Sequence, residues 1–229
     1  MRSARVWRWL AGPDRATRGG LPVDEVLAPL PVVALVVLVV NDWLLKPRLA
    51  GSIGWLTGKL SDVAGLVLAP LVLTAVADLG LRLAHAAGAP VDPTLRRWKL
   101  AVAGAVTAAV FVVVKLSPGA AAEVAWLWGH AWSGAAIIAD PTDLATLPAL
   151  GLAWWQGRQA IAHVPYGRVA WVAAEAARGR PVAAPFADAV ACGADPAAVA
   201  GLDAAVAAWL AGGPAAPVDV ALEDLRSRR

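Results

Sequence analysis

From Leu27 to Leu45 the chain reads LAPLPVVALVVLVVNDWLL, 19 residues with a single charged side chain, Asp42. Coiled as a helix, such a run is about 28 Å long at about 1.5 Å per residue, close to the ~30 Å hydrocarbon thickness of a bilayer. A helix of a water-soluble domain needs one apolar face, not an apolar circumference, so the run reads as a membrane span. Pro29 and Pro31 fall in its first turn, where a missing N–H costs little, and Asn41, Asp42 and Trp43 mark its far end.

Two further runs have the same character: 63–84 (VAGLVLAPLVLTAVADLGLRLA) and 100–116. The latter is entered through Arg96, Arg97, Trp98 and Lys99 and left through Lys115, Ser117 and Pro118. Within 63–84, Asp78 and Arg82 stand four apart and are expected to pair in a structural role. Ala101, Gly104, Ala105, Ala108 and Ala109 give the third run a small-residue surface on which another helix can pack closely. A fourth span is expected at 141–157, but its apolar part, Leu144 to Trp155, has only 12 residues. Either it extends forward through Gln156, Gly157 and Arg158 to Val164, or it extends back through Trp132 to Ala139 and sets Asp140-Pro141-Thr142-Asp143 within a broken helix. Trp154, Trp155 and Arg158 resemble an interfacial exit and favour the forward extension.

Composition agrees with a membrane protein. Hydrophobic residues make up 59% of the chain and charged residues 16%, against about 45–50% and about 25% in soluble domains. The same figures exclude general disorder. The expected fold is all-α, an integral membrane four-helix bundle (27–160, spans 27–45, 63–84, 100–116 and 141–157). A basic amphipathic N-terminal arm (1–26, with Arg2, Arg5, Arg8, Arg15 and Arg18) precedes it, and a short cytoplasmic helical tail, the Ala-rich segment 161–229, follows. In the tail a surface helix is expected over VPYGRVAWVAAEAARGR, with two more at 184–192 and 196–210. The second of these has Asp195 as N-cap, Pro196 at its first position and Gly212-Gly213-Pro214 as its stop. The last 15 residues are expected to fray.

Arginine and lysine gather before span one, around the loop between spans two and three, and after span four, whereas Lys115 alone accompanies 117–143 and the first loop, with Lys46, Arg48 and Lys59, is intermediate. The positive-inside rule then places both termini in the cytoplasm, with the protein in a bacterial inner membrane and the lipid bilayer as its first partner. In that arrangement four segment ends meet at the extracytoplasmic face. They carry Asn41, Asp42 and Lys46; Lys59, Ser61 and Asp62; Lys115; and Asp140, Thr142 and Asp143. Polar side chains at membrane depth are functional candidates by default, and carboxylates beside ammonium groups suit an ion, a small polar ligand or a proton in transit. A structural reading stands beside this one. Asp140-Pro141-Thr142-Asp143 and Ser61-Asp62 have the form of helix N-caps, and Lys115 complements a helix C-terminus. Asn41-Asp42 fits that account least, because an acid at a helix C-terminus opposes the dipole. The abundant tryptophans, among them Trp43, Trp55, Trp98, Trp126, Trp128, Trp132, Trp154 and Trp155, fall near expected interfaces as belt anchors.

Several chemistries are disfavoured. The single cysteine, Cys192, cannot form an intrachain disulfide or a multi-thiolate metal site, and His85, His130 and His163 show no metal-ligand spacing. No dense basic run interleaves with stacking aromatics, so no nucleic-acid partner is expected. His130-Ala-Trp-Ser-Gly134 lacks the context of a serine nucleophile. WLTGKLSDVAG lacks the arginines that the major-facilitator loop requires. The sequence assigns no cofactor. NDWLLK (41–46), WLTGKLSDVAGLVLAPL (55–71) and DPTDLATLPAL (140–150), taken as a set, resemble a group of uncharacterised bacterial multi-pass membrane proteins over roughly 27–157. The resemblance implies membrane topology and a shared polar pattern and carries no activity. The leading functional expectation is a non-enzymatic membrane protein that binds an ion or small polar ligand, for transport as a homo-oligomer. The alternatives are a membrane enzyme acting on a lipid or envelope precursor, and an anchor or scaffold working through the tail.

Overall fold

The computed structural model describes residues 25–49, 54–130 and 137–227, and among these the chain is all helical with no strand. Helix α1 (Pro29–Val40) passes through a π-helical turn (Asn41–Leu45) into a short α2 (Lys46–Leu49). Long helices α3 (Gly54–Ala86) and α4 (Arg97–Leu116) follow, then α5 (Pro118–Gly129). A 3₁₀ helix, Pro141–Ala149, runs directly into α6 (Leu150–Ala162). The C-terminal part holds α7 (Tyr166–Ala177), α8 (Ala187–Ala191), α9 (Pro196–Leu210) and α10 (Ala216–Ser227).

Pro29–Arg48, α3 and α4 are long and apolar enough to cross a membrane. Their exposed side chains fit that environment. Val33, Val36 and Val40, then Val72, Val76, Leu79 and Leu83, then Val102, Val106, Val110 and Val113 are all exposed at spacings of three and four. Each helix therefore turns an apolar stripe outward, where a soluble protein would set charge. Trp43, Trp55, Trp98, Trp126 and Trp155 are each more than half exposed, as belt residues are.

Several boundaries differ from expectation. Helix α1 does not end at Leu45, since the π turn carries it on to Leu49. Helix α3 begins at Gly54, so Ser61 and Asp62 lie in its interior and cap nothing, and their capping role is overturned. Asp78 meets Lys99 of α4, not the Arg82 expected of it. Helix α5 occupies part of the 117–143 segment read as a connection. Its start is built like the others, with Ser117 Oγ accepting from Ala120 N at 3.2 Å and Pro118 at the first position.

In place of a regular fourth span stands the 3₁₀ helix joined to α6. Asp140 caps it, Oδ1 accepting from Thr142 N at 2.9 Å, so 140–143 starts a helix and does not interrupt one. The residues 131–136 needed for the backward extension lie outside the described ones. Forward, the helix runs on through Arg158 to Ala162. Gly157 allows it, because a Cβ there would stand 2.5 Å from Leu100 Cδ2. Pro148 has no N–H for a regular α-helical ladder and sits within the 3₁₀ stretch. That stretch rises about 2.0 Å per residue and so lengthens a short apolar segment. The arginine-bearing N-terminal arm lies outside the described residues.

Two compact units share the long helices. One joins Leu30–Pro70 to Ala101–Trp154, and its core is Ala34, Ala64, Leu66, Val67 and Ala149 with Phe111 and Leu150 against them. The small alanines let the backbones approach, as membrane helices require. The other joins Leu71–Leu100 to the described residues after Trp154 and takes in residues 25–29. Val169, Phe186, Leu202, Val206, Val218 and Leu222 form its centre. Burying each such side chain fully contributes about 1.5–3 kcal/mol. Residues 216–227 therefore do not fray: α10 buries Val218, Leu222 and Leu225 along one face.

Candidate functional site

The polar residues of the first unit meet through the face pattern of α3. Thr57 and Ser61 stand four apart on one side, and Lys59 and Asp62 stand three apart on another. The first pair receives the π turn. Asn41 is fully buried, and its Nδ2 donates to Thr57 O at 2.6 Å and to Ser61 Oγ at 2.7 Å. Ser61 Oγ in turn donates to Asp42 Oδ1 at 2.5 Å, and Lys46 Nζ pairs with the same oxygen at 2.7 Å. Asn41 Oδ1 is buried without a hydrogen-bond partner. The π turn is what makes these contacts: its wider coil brings Asn41 and Asp42 to α3, whereas the ending expected there would have left an acid against the dipole.

The second pair builds a chain of alternating charge. Lys59 Nζ donates to Thr142 Oγ1 at 3.0 Å and to Asp143 Oδ1 at 2.8 Å. Asp143 Oδ2 accepts from Lys115 Nζ at 2.7 Å, and Lys115 pairs at 2.8 Å with Asp62 Oδ2. The ring of Phe111, one turn back on α4, lies 5.5 Å from the Lys115 ammonium and adds a cation–π contact. The side chains of Lys115 and Asp143 are each only 10% exposed. Such pairs cost desolvation that their mutual attraction barely offsets, and well-packed apolar residues often serve stability better.

Of the expected cluster, Asn41, Asp42, Lys59, Ser61, Asp62, Lys115, Thr142 and Asp143 all enter these contacts, with Lys46. Asp140 does not, since its carboxylate serves Thr142 N as a cap. No group of three or more His, Cys, Asp or Glu is placed to hold a metal ion among the described residues.

A second polar network, in the other unit, was not anticipated as such. Lys99 Nζ donates to Asp78, to Asp92 O at 2.7 Å and to Thr94 O at 2.9 Å, which uses all three of its hydrogens. Arg168 Nη1 reaches Asp92 Oδ2 at 2.6 Å and Thr94 Oγ1 at 2.7 Å, and its Nε reaches Pro185 O at 2.8 Å. Arg178 donates through Nη2 to His85 O at 3.3 Å and through Nη1 to His85 Nε2 at 2.7 Å. A guanidinium only donates, so that ring nitrogen carries the lone pair. Asp78, the single acid of the apolar run 63–84, and the four-residue spacing of Asp92 and Arg96 are the sequence signals for this network.

The chain matches no protein-family model, no curated protein and no solved structure.

Proposed function

We propose that this chain is a non-enzymatic multi-pass protein of a bacterial inner membrane whose working site is the Lys59–Asp143–Lys115–Asp62 chain, where it binds an ion or small polar ligand, for transport as a homo-oligomer. One observation carries the reading: ionic side chains from α3, α4 and the 3₁₀ helix converge within 3.0 Å through side chains alone. A purely structural contact among apolar helices gains little from such charge, and ionisable groups there mark ligand or ion paths. In this reading the 3₁₀ helix and α6 together form the fourth crossing. Their combined length is about 37 Å at the rises of the two helix types, enough for a ~30 Å core. Both termini are cytoplasmic and the site faces outward.

The binding test is a thermal-stability screen of the detergent-purified chain with alkali cations, small anions and neutral polar solutes. A ligand is expected to raise the wild-type midpoint, an effect lost in Asp62→Asn if the ligand is a cation and in Lys115→Met if it is an anion. A flat screen sinks the reading. Orientation is tested in a Cys192→Ser background with single cysteines at Leu56, Ala122, Ala87 and Ala183. An impermeant thiol reagent on intact cells should label the first two and spare the others, and labelling of Leu56 without Ala122 would overturn the topology.

A further inference from the structure

We propose that Lys59 and Lys115 form a receptor for a small carboxylate or like oxyanion, which Asp143 fills as a tethered stand-in until ligand exchanges with it. This rests on the reading that the cluster is the ligand site. The two oxygens of Asp143 each take one ammonium, Oδ1 from Lys59 at 2.8 Å and Oδ2 from Lys115 at 2.7 Å. The two lysines belong to different long helices, so a free carboxylate bridging them would make the same pair of charge-assisted bonds. Among the described residues neither ammonium bonds a backbone carbonyl, in contrast to Lys99, and side-chain partners can leave without unravelling the chain.

The charge pattern selects an anion over a cation. Among the described residues Lys59 and Lys115 meet two acids, Asp62 and Asp143, so once Asp143 turns away two ammonium groups face the one carboxylate of Asp62 and the excess positive charge suits an anion. The element that carries Asp143 suits exchange. Its 3₁₀ hydrogen bonds are of poorer geometry than α-helical ones. Once released, Asp143 remains in the first turn of that helix, where the dipole favours an acid. Exchange replaces one carboxylate by another on the same ammonium pair, so no proton need move and no covalent bond changes.

Chemical rescue tests this. In full-length, detergent-purified Asp143→Ala, the thermal midpoint should fall, and sodium formate or acetate should restore it where sodium chloride at equal ionic strength does not. At ten times its dissociation constant formate should raise the folded-to-unfolded ratio about elevenfold. Adding Lys115→Met should abolish the recovery. Should Asp143→Ala not fold, Asp143→Asn takes its place. Wild type supplies a readout that needs no variant: formate should speed amide exchange over 141–149 relative to chloride. No carboxylate-specific recovery and no change in that exchange would overturn the proposal. If sodium or potassium instead raises the wild-type midpoint in an Asp62-dependent manner, the anion inference falls and the site reading stands. If neither class of ion acts, both fall.

Discussion

Lys99 and Lys115 lie on the same helix, α4, yet they are held in different ways. The Lys99 ammonium is closed by one carboxylate and two backbone carbonyls, and Arg168 and Arg178 likewise each bond a carbonyl as well as side chains. The Lys115 ammonium touches two carboxylates and an aromatic ring. A cation bonded to carbonyls fixes the path of the chain and cannot leave without exposing them. A cation bonded only to side chains fixes no path and can change partners. The unit around Lys99 is thus stapled, and the unit around Lys115 is poised.

Substitution at the two lysines tests that difference with the largest expected effect. Lys99→Met leaves Asp78, which is fully buried, without a counter-ion and should cost about 3–5 kcal/mol. Adding Asp78→Leu removes the orphaned charge but not the orphaned carbonyls of Asp92 and Thr94, so a cost of about 1–3 kcal/mol should remain. By contrast Lys115→Met with Asp62→Leu leaves Asp143 paired to Lys59 and should cost under about 1 kcal/mol. Thermal midpoints of the purified variants decide it, and equal losses in the two double variants would dissolve the distinction.

The stapled unit should also behave as an ordinary packed core. Leu222→Ala should destabilise it by about 2–5 kcal/mol, read as early loss of exchange protection in α7, α9 and α10. Unchanged protection would mean that α10 is not held by its apolar face.

How far these features could be read in advance follows from the range over which each is set. Asp140-Pro141 and Asp195-Pro196 were legible because a cap is decided within three residues. Ser117-Pro118 has the same form, and the spacing of Val218, Leu222 and Leu225 is as plain as any amphipathic pattern. Their neglect reflects the low weight of short helices beside long apolar runs. Ser61-Asp62 is different. It has the local form of a cap, but its partners are Asn41, Asp42 and Lys115, and only packing brings them near. The polar residues that meet here were therefore legible as exceptions in apolar surroundings, while their pairing was not. The link from Lys99 to Asp78 has no local signature, since the two are 21 residues apart on different helices.

A smaller effect is expected at Cys192. Burial raises its thiol pKa, although the nearby Arg97 and Arg158 oppose the shift, so little reactive thiolate forms near neutrality. Maleimide at pH 7.5 should label the folded chain slowly and the unfolded chain fast. Equal rates would mean that the stapled unit opens readily.

The smallest effect is expected at Asp203 on α9, and its sign follows from linkage. Burial raises this carboxyl above its ordinary value, so between the unfolded and folded pKa values the native chain holds more proton than the unfolded one. Stability contributed by this group therefore falls as pH rises through that interval, and the whole penalty is present at neutral pH. Asp203→Asn removes the titration. It should raise the thermal midpoint slightly at pH 7 and leave it unchanged below the ordinary carboxylate range, where both states of the wild type are protonated. A gain of equal size at low pH would trace the effect to packing or hydrogen bonding. A loss at pH 7 would mean that the carboxylate is stabilised where it sits, and α9 would then belong with the poised unit's chemistry rather than with the packed core.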